Sequence, residues 1–181
     1  MELHPPVNRR RQGNTTVRVM LGAAFAAAVL AAAPSRAEDA VVTYKSLAPD
    51  VAFDLARAAL AQCRKDGFQV AVVVIDRFGQ PLVMLRDRYA GLGARATAKG
   101  KAWTAVNFGH DTSELLKNIH DGQLSPGLAS LPNVVMLSGG LVIESGGSML
   151  GGVGVAGAPG GDKDEACAKA GLAAIRDKLD F

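Results

Sequence analysis

Reactive side chains are scarce in this chain. Its 181 residues include three histidines, two cysteines and one tryptophan. Cys63 and Cys167 stand too far apart for a CxxC redox motif, and two thiols with no histidine beside them make a poor zinc set. There is no HExxH metalloprotease signature, no phosphate-cradling P-loop and no nucleophile elbow with Ser-His-Asp order. No catalytic set is visible. Neither an internal repeat nor a linker divides the chain, which has the length of one compact domain. A bilayer span needs about 20 strongly apolar residues, whereas the one long apolar run, Val19–Ala33, is mostly alanine.

That run belongs to an amino-terminal segment unlike the rest. Arg9-Arg10-Arg11 and Arg18 precede it, and Ser35-Arg36-Ala37 closes it with small residues at −3 and −1. A charged start, a short apolar middle and a small-x-small exit are the layout of a cleaved secretory signal. Residues 1–37 are therefore expected to be removed after Ala37, leaving residues 38–181 as a single exported domain, periplasmic or secreted, with no stable membrane anchor. Setting aside the five arginines and one glutamate of residues 1–37 lowers the formal charge from +3 to −1. The basic pI thus belongs to the leader, and no basic patch remains to argue for nucleic acid. An exported chain meets an oxidising compartment, where an even pair of cysteines invites a disulfide.

After a short lead-in, Ser46 is a candidate N-cap for a helix running to about Lys65. Leu47, Val51, Leu55, Ala58/Ala59 and Gln62/Cys63 recur at threes and fours, and Asp66-Gly67 stops the run. Gln69–Asp76 is a continuous apolar run, the mark of a strand buried on both faces. A turn at Arg77–Gln80 returns the chain along Pro81–Arg86, making a hairpin. Ala94–Phe108 reads as a second helix, ending at Gly109. Asp111 or Thr112 caps a third, Ser113–His120, and Asp121–Leu131 is a loop.

The stretch Pro132–Glu165 is the most distinctive part of the chain. Three β-branched runs (Asn133–Leu137, Leu141–Glu144, Ser148–Val155) alternate with glycine pairs at 139–140, 146–147 and 151–152. Paired glycines supply tight turns, or let another backbone or a flat ligand come close. Sheet architecture and ligand cradle are both open readings. A last helix, Asp162–Leu179, has acids at its positive end and a stripe of Ala168, Leu172, Ile175 and Leu179. So apolar a sheet needs helices on both faces. The expected fold is an α/β (α+β) sandwich, α/β/α in layers, with about five strands.

The ordered features VVVIDRFGQPLVMLRD (Val72–Asp87), KAWTA (Lys101–Ala105), the glycine hairpins of Gly139–Gly157 and D-x-x-C-A-x-A-G-L (Asp164–Leu172) resemble the GlcG/HbpS family, including the C-terminal domain of PduO-type proteins. The likeness covers essentially all of residues 38–181. It implies a profilin-like fold, a five-stranded antiparallel sheet flanked by helices on both faces, assembled as a homo-oligomer. It also implies haem as a cofactor, since the family's functional members look like haem-binding proteins; others sit beside glycolate or cobalamin pathways. In the implied fold the first and last helices lie antiparallel on one face. That places Cys63 beside Cys167 and predicts a disulfide.

Haem needs an axial donor, usually His, Met, Cys or Tyr. Relatives ligate through a histidine near the first helix, but Glu38–Leu60 contains none, so His110 and His120 are the histidines on offer. His110, between two helices, either points at a ligand as a haem-iron donor or merely caps. His120 sits at a helix end, where the dipole favours its cation. Tyr44, Tyr89 and Met84 are fallback donors. Lys99, Lys101 and Arg86 are candidates to pair with haem propionates or with a small carboxylate of the glycolate type; the competing reading is solvated helix lysines. Trp103 reads as core or interface rather than a stacking platform.

Overall fold

The computed structural model describes residues 42–179. The predicted signal segment, residues 1–37, lies outside them. The first helix, α1 (Pro49–Lys65), starts three residues beyond the predicted Ser46 cap. The residue before a proline is steered away from helical angles while proline itself suits the first helical position. Ala48 therefore sits extended (φ −66°, ψ 139°) and no side chain caps the helix. Its other end is as expected: Gly67 takes φ +83° and Phe68 N–H donates to Cys63 O at 2.8 Å, closing the last turn.

Strands β1 (Ala71–Asp76) and β2 (Pro81–Arg86) form the predicted hairpin. Helix α2 (Ala94–Phe108) and helix α3 (Thr112–His120) follow, then β3 (Gly140–Ser145), β4 (Ser148–Ala156) and helix α4 (Gly161–Ala174). The sheet order is β2-β1-β4-β3, antiparallel throughout. Every residue of β1 but Asp76 is sealed, and the alternation of a strand divides them between two cores. Val72 and Val74 face α1 and α4, while Ala71, Val73 and Ile75 face α2. The expected layering, with helices on both faces, is what forms.

Four strands are described rather than the expected five, because Asn133–Leu137 does not join the sheet. Asn133 takes φ +65°, turning the chain out of an extended path. Val135 N–H then donates to Thr104 Oγ1 of α2 at 2.8 Å instead of to a neighbouring strand. The segment becomes a strap across α2. The last helix also differs: it ends at Ala174, and a short 3-10 turn, Arg176–Lys178, carries the chain on to Leu179.

The glycines of β4 are explained by helix approach. A Cβ on Gly154 would stand 1.9 Å from Ala98 O, and one on Gly152 would stand 2.7 Å from Val106 Cγ2. With Ala98, Ala102 and Ala105 fully buried on the facing side of α2, helix and sheet meet almost backbone to backbone. The β3–β4 turn uses Gly146 and Gly147 at φ +54° and +72°, the two positive angles of a tight hairpin. Cys63 and Cys167 form the predicted disulfide, with Cα atoms 5.4 Å apart, linking the end of α1 to the start of α4.

Candidate functional site

A concavity of about 980 Å³ forms an open groove between the start of α3, strand β3 with its turn, and the end of α4. Small-molecule and cofactor sites span roughly 300–1,000 Å³, so this one is large enough for an extended flat ligand. Leu172, Ala173 and Leu179 give it apolar surface, with Leu141 sealed beneath; His110, Asp111, Glu114, Glu144, Lys169 and Arg176 supply the polar rim. The half-buried state of Leu172 and Leu179 follows from this: their helical stripe meets the core on one side and the groove on the other.

His110 is carried there because Gly109 ends α2 in the left-handed conformation (φ +69°) and the chain turns at once into α3. The imidazole is half exposed, and its Nδ1 lies 3.2 Å from Glu114 Oε2, one turn along α3. A carboxylate beside Nδ1 favours the tautomer with its hydrogen there, in which Nε2 carries the lone pair that can ligate a metal. Asp111 occupies the N-cap position without capping; its Oδ1 accepts from Val142 N–H at 2.9 Å, pinning α3 to β3. Burial pushes the Asp111 carboxyl above its usual range, against the Val142 N–H that favours the anion, and Glu165 adds to the rise. On the opposite wall Lys169 pairs with Glu165 at 2.6 Å. That contact holds the Lys169 ammonium above its ordinary range. Arg176 follows two turns later along the same wall.

The other sequence candidates do not gather here. Lys101 is sealed from water, its Nζ 2.7 Å from Asp164 Oδ2 and 2.9 Å from Val155 O. The solvated-helix reading fails for it, and its charge is committed to a carboxylate of the protein itself. It does border a smaller recess of about 470 Å³ at the start of α4. Lys99 and Trp103 line a separate cleft beside the β1–β2 turn. Arg86 Nη2 donates to Ala90 O at 2.5 Å, closing the loop after β2. Tyr89 lies 75% exposed under the Arg88 guanidinium. His120 sits almost fully exposed with Asp121 Oδ1 3.3 Å away; Tyr44 packs on Phe78, and Met84 is exposed on the edge strand β2.

Of the sequence candidates, the groove keeps His110 alone. Lys169 and Arg176 were missed, although residues 169, 172, 173 and 176 recur at helical spacing and share one side of the chain. Among the described residues no group of three or more His, Cys, Asp or Glu side chains is placed to hold a bare metal ion. Nor is any described helix long and apolar enough to cross a membrane.

Comparison with known proteins supplies independent information. Residues 47–173 match the family described as "Haem degrading protein HbpS-like". Among solved structures, a double mutant of HbpS from Streptomyces reticuli is 40% identical, with a TM-score of 0.71, over 80% of this chain and 98% of that one. The structure described as a PduOC:heme complex is 31% identical, with a TM-score of 0.67, over 72% of this chain and 95% of that one. The protein ORFY of Klebsiella pneumoniae, at 23% identity and a TM-score of 0.70, shares the fold. No curated protein matches.

Proposed function

The chain belongs to the HbpS-like family, and from that premise we propose that it binds haem, or a closely related tetrapyrrole, in the groove between α3, β3 and α4. The observation that carries the reading is the placement of His110 on one rim and of Lys169 and Arg176 on the other, across a floor of leucines. The donor set suits the group. The His110 imidazole offers Nε2 as an iron ligand, the leucine surface accepts a macrocycle face, and two cations meet propionates. Glu114 orients the imidazole, and Glu165 positions Lys169. Bound haem supplies an iron centre for ligand and electron exchange. The protein's own contribution is orientation and a partly dry wall. A solved haem complex of a 31% identical relative supports the same reading.

Haemin titration followed at the Soret band tests it. A saturable red shift at micromolar haemin is expected. His110→Ala should lose the shift while keeping weak binding through the leucines, and Arg176→Ala with Lys169→Ala should weaken binding several-fold. An unshifted spectrum in the parent protein would remove the proposal.

The same reading includes export of residues 38–181 and assembly into a homo-oligomer. The Cys63–Cys167 disulfide supports export, because reducing compartments keep such thiols apart. Large apolar side chains left in water, Phe53, Met84 and Leu92 among them, support assembly. Amino-terminal sequencing of the exported protein should begin at Glu38, and light scattering should give a mass above that of one chain.

A further inference from the structure

A second cleft, sharing no residue with the groove, lies where the β1–β2 turn meets α2. It holds about 380 Å³ and is walled by Phe78, Trp103 and Val135, with Lys99, Gln80 and Asn133 at its rim. Two glycines let these walls come together. A Cβ on Gly79 would press on Trp103 Cδ1 at 3.1 Å, and one on Gly100 would strike Val135 Cγ2 at 2.3 Å.

Three features point to a ligand. Phe78 is 63% exposed, yet its ring is held: Tyr44 meets it edge-on with centroids 5.5 Å apart, and the Arg77 guanidinium lies 5.9 Å from its centre. An aromatic ring fixed in water by its neighbours is a preformed wall. Asn133, on the opposite rim, is the one non-glycine residue among those described with a positive φ. Backbone in that region persists where surroundings impose it, and it gathers at binding sites. Lys99 is the cleft's only charge. No carboxylate lines it, and among the described residues Lys99 has no ion pair.

We propose that this cleft binds a planar aromatic carboxylate, its ring between Phe78 and Trp103 and its charge on the Lys99 ammonium. Aromatic walls favour offset or edge-on rings, and an ammonium–carboxylate contact is charge-assisted. The side-chain amides of Gln80 and Asn133 donate to the remaining carboxylate lone pairs. The small-acid role considered for Lys99, Lys101 and Arg86 thus narrows to Lys99, and passes from an aliphatic acid to an aromatic one.

Trp103 is the chain's one tryptophan, so its emission reports the cleft directly. The test is a titration of 4-nitrobenzoate, a planar carboxylate whose nitro group quenches indole, into the full protein. Saturable quenching is expected, moved at least about tenfold to higher concentration in Lys99→Ala and for the neutral 4-nitrobenzyl alcohol. Lys99→Arg keeps the charge and is expected to keep the binding, which separates lost charge from lost fold. His110→Ala is expected to leave the titration unchanged. Quenching that stays linear, equal saturation by the alcohol, or loss of binding in His110→Ala overturns the assignment.

Discussion

The ammonium of Lys101 on α2 stands 2.7 Å from Asp164 Oδ2 on the first turn of α4, with both side chains almost wholly sealed from water. The same ammonium donates to Val155 O at 2.9 Å, and Asp164 Oδ1 accepts from Ala158 N–H at 3.0 Å. Burial pushes the Asp164 carboxyl above its usual range, with Lys101 opposing. The pair ties the helix on one face of the sheet to the start of a helix on the other.

Lys101→Met strands that carboxylate without a cation, so it is expected to destabilise the fold by about 3–5 kcal/mol. Adding Asp164→Asn removes the uncompensated charge while keeping an acceptor for Ala158 N–H. The double variant should recover much of the loss. Urea unfolding of the two single variants and the double one measures the coupling, and a strictly additive result would mean the pair does not act as a unit.

Reduction should weaken the protein strongly. The disulfide spans a sequence separation of 104 residues, for which the chain-entropy argument gives about 4–5 kcal/mol. Both cysteines are fully buried, so dithiothreitol should act slowly on the native state and quickly once unfolding begins. Thermal unfolding of Cys63→Ala/Cys167→Ala beside the parent protein, with and without reductant, checks the magnitude.

Gly154→Ala should be among the most damaging single-methyl changes. The added carbon would lie 1.9 Å from Ala98 O and 2.9 Å from Ala98 C, both backbone atoms of a helix packed on the sheet. Neither can rotate away, so α2 must move outward. Several kcal/mol of lost stability or failure to fold is expected, whereas Gly91→Ala, with open space around it, should be nearly silent. Circular dichroism melts of the two variants separate these outcomes.

Asp111 links the groove to pH. Its carboxyl is raised above the ordinary value, chiefly by burial, so the folded state holds this proton more tightly than the unfolded chain does. The contribution is present below the ordinary carboxylate range and is lost as pH rises through the raised folded value. Above that window the charged Asp111 costs stability. Asp111→Asn, which still accepts from Val142 N–H, should melt a few degrees higher at pH 7. Its advantage should vanish near pH 4, and a melting difference that does not change with pH would contradict this origin.

Much of the fold was legible in the residues themselves. β1 announced itself because a strand buried on both faces must be apolar at every position, and Val70–Ile75 is. Gly67 and Gly109 marked helix ends because positive φ there is a local requirement of the chain. The glycine pairs told of tight turns and close approach, and the helix on each sheet face followed from the sheet's apolarity. Where local signals failed, the deciding partner lay far along the sequence. Asn133–Leu137 has the composition of a strand, but Thr104 supplied the acceptor that kept it out of the sheet. Lys101 has the look of a surface lysine, and only Asp164, 63 residues on, makes its burial tolerable. The groove is likewise a product of packing. His110 comes from one side of the sheet edge, Lys169 and Arg176 from the last helix and the turn after it. Periodicity and turn chemistry act over a few residues and so can be read in order along the chain. The pairing of charges and the shape of a cavity depend on which distant faces meet, and only the folded chain settles that.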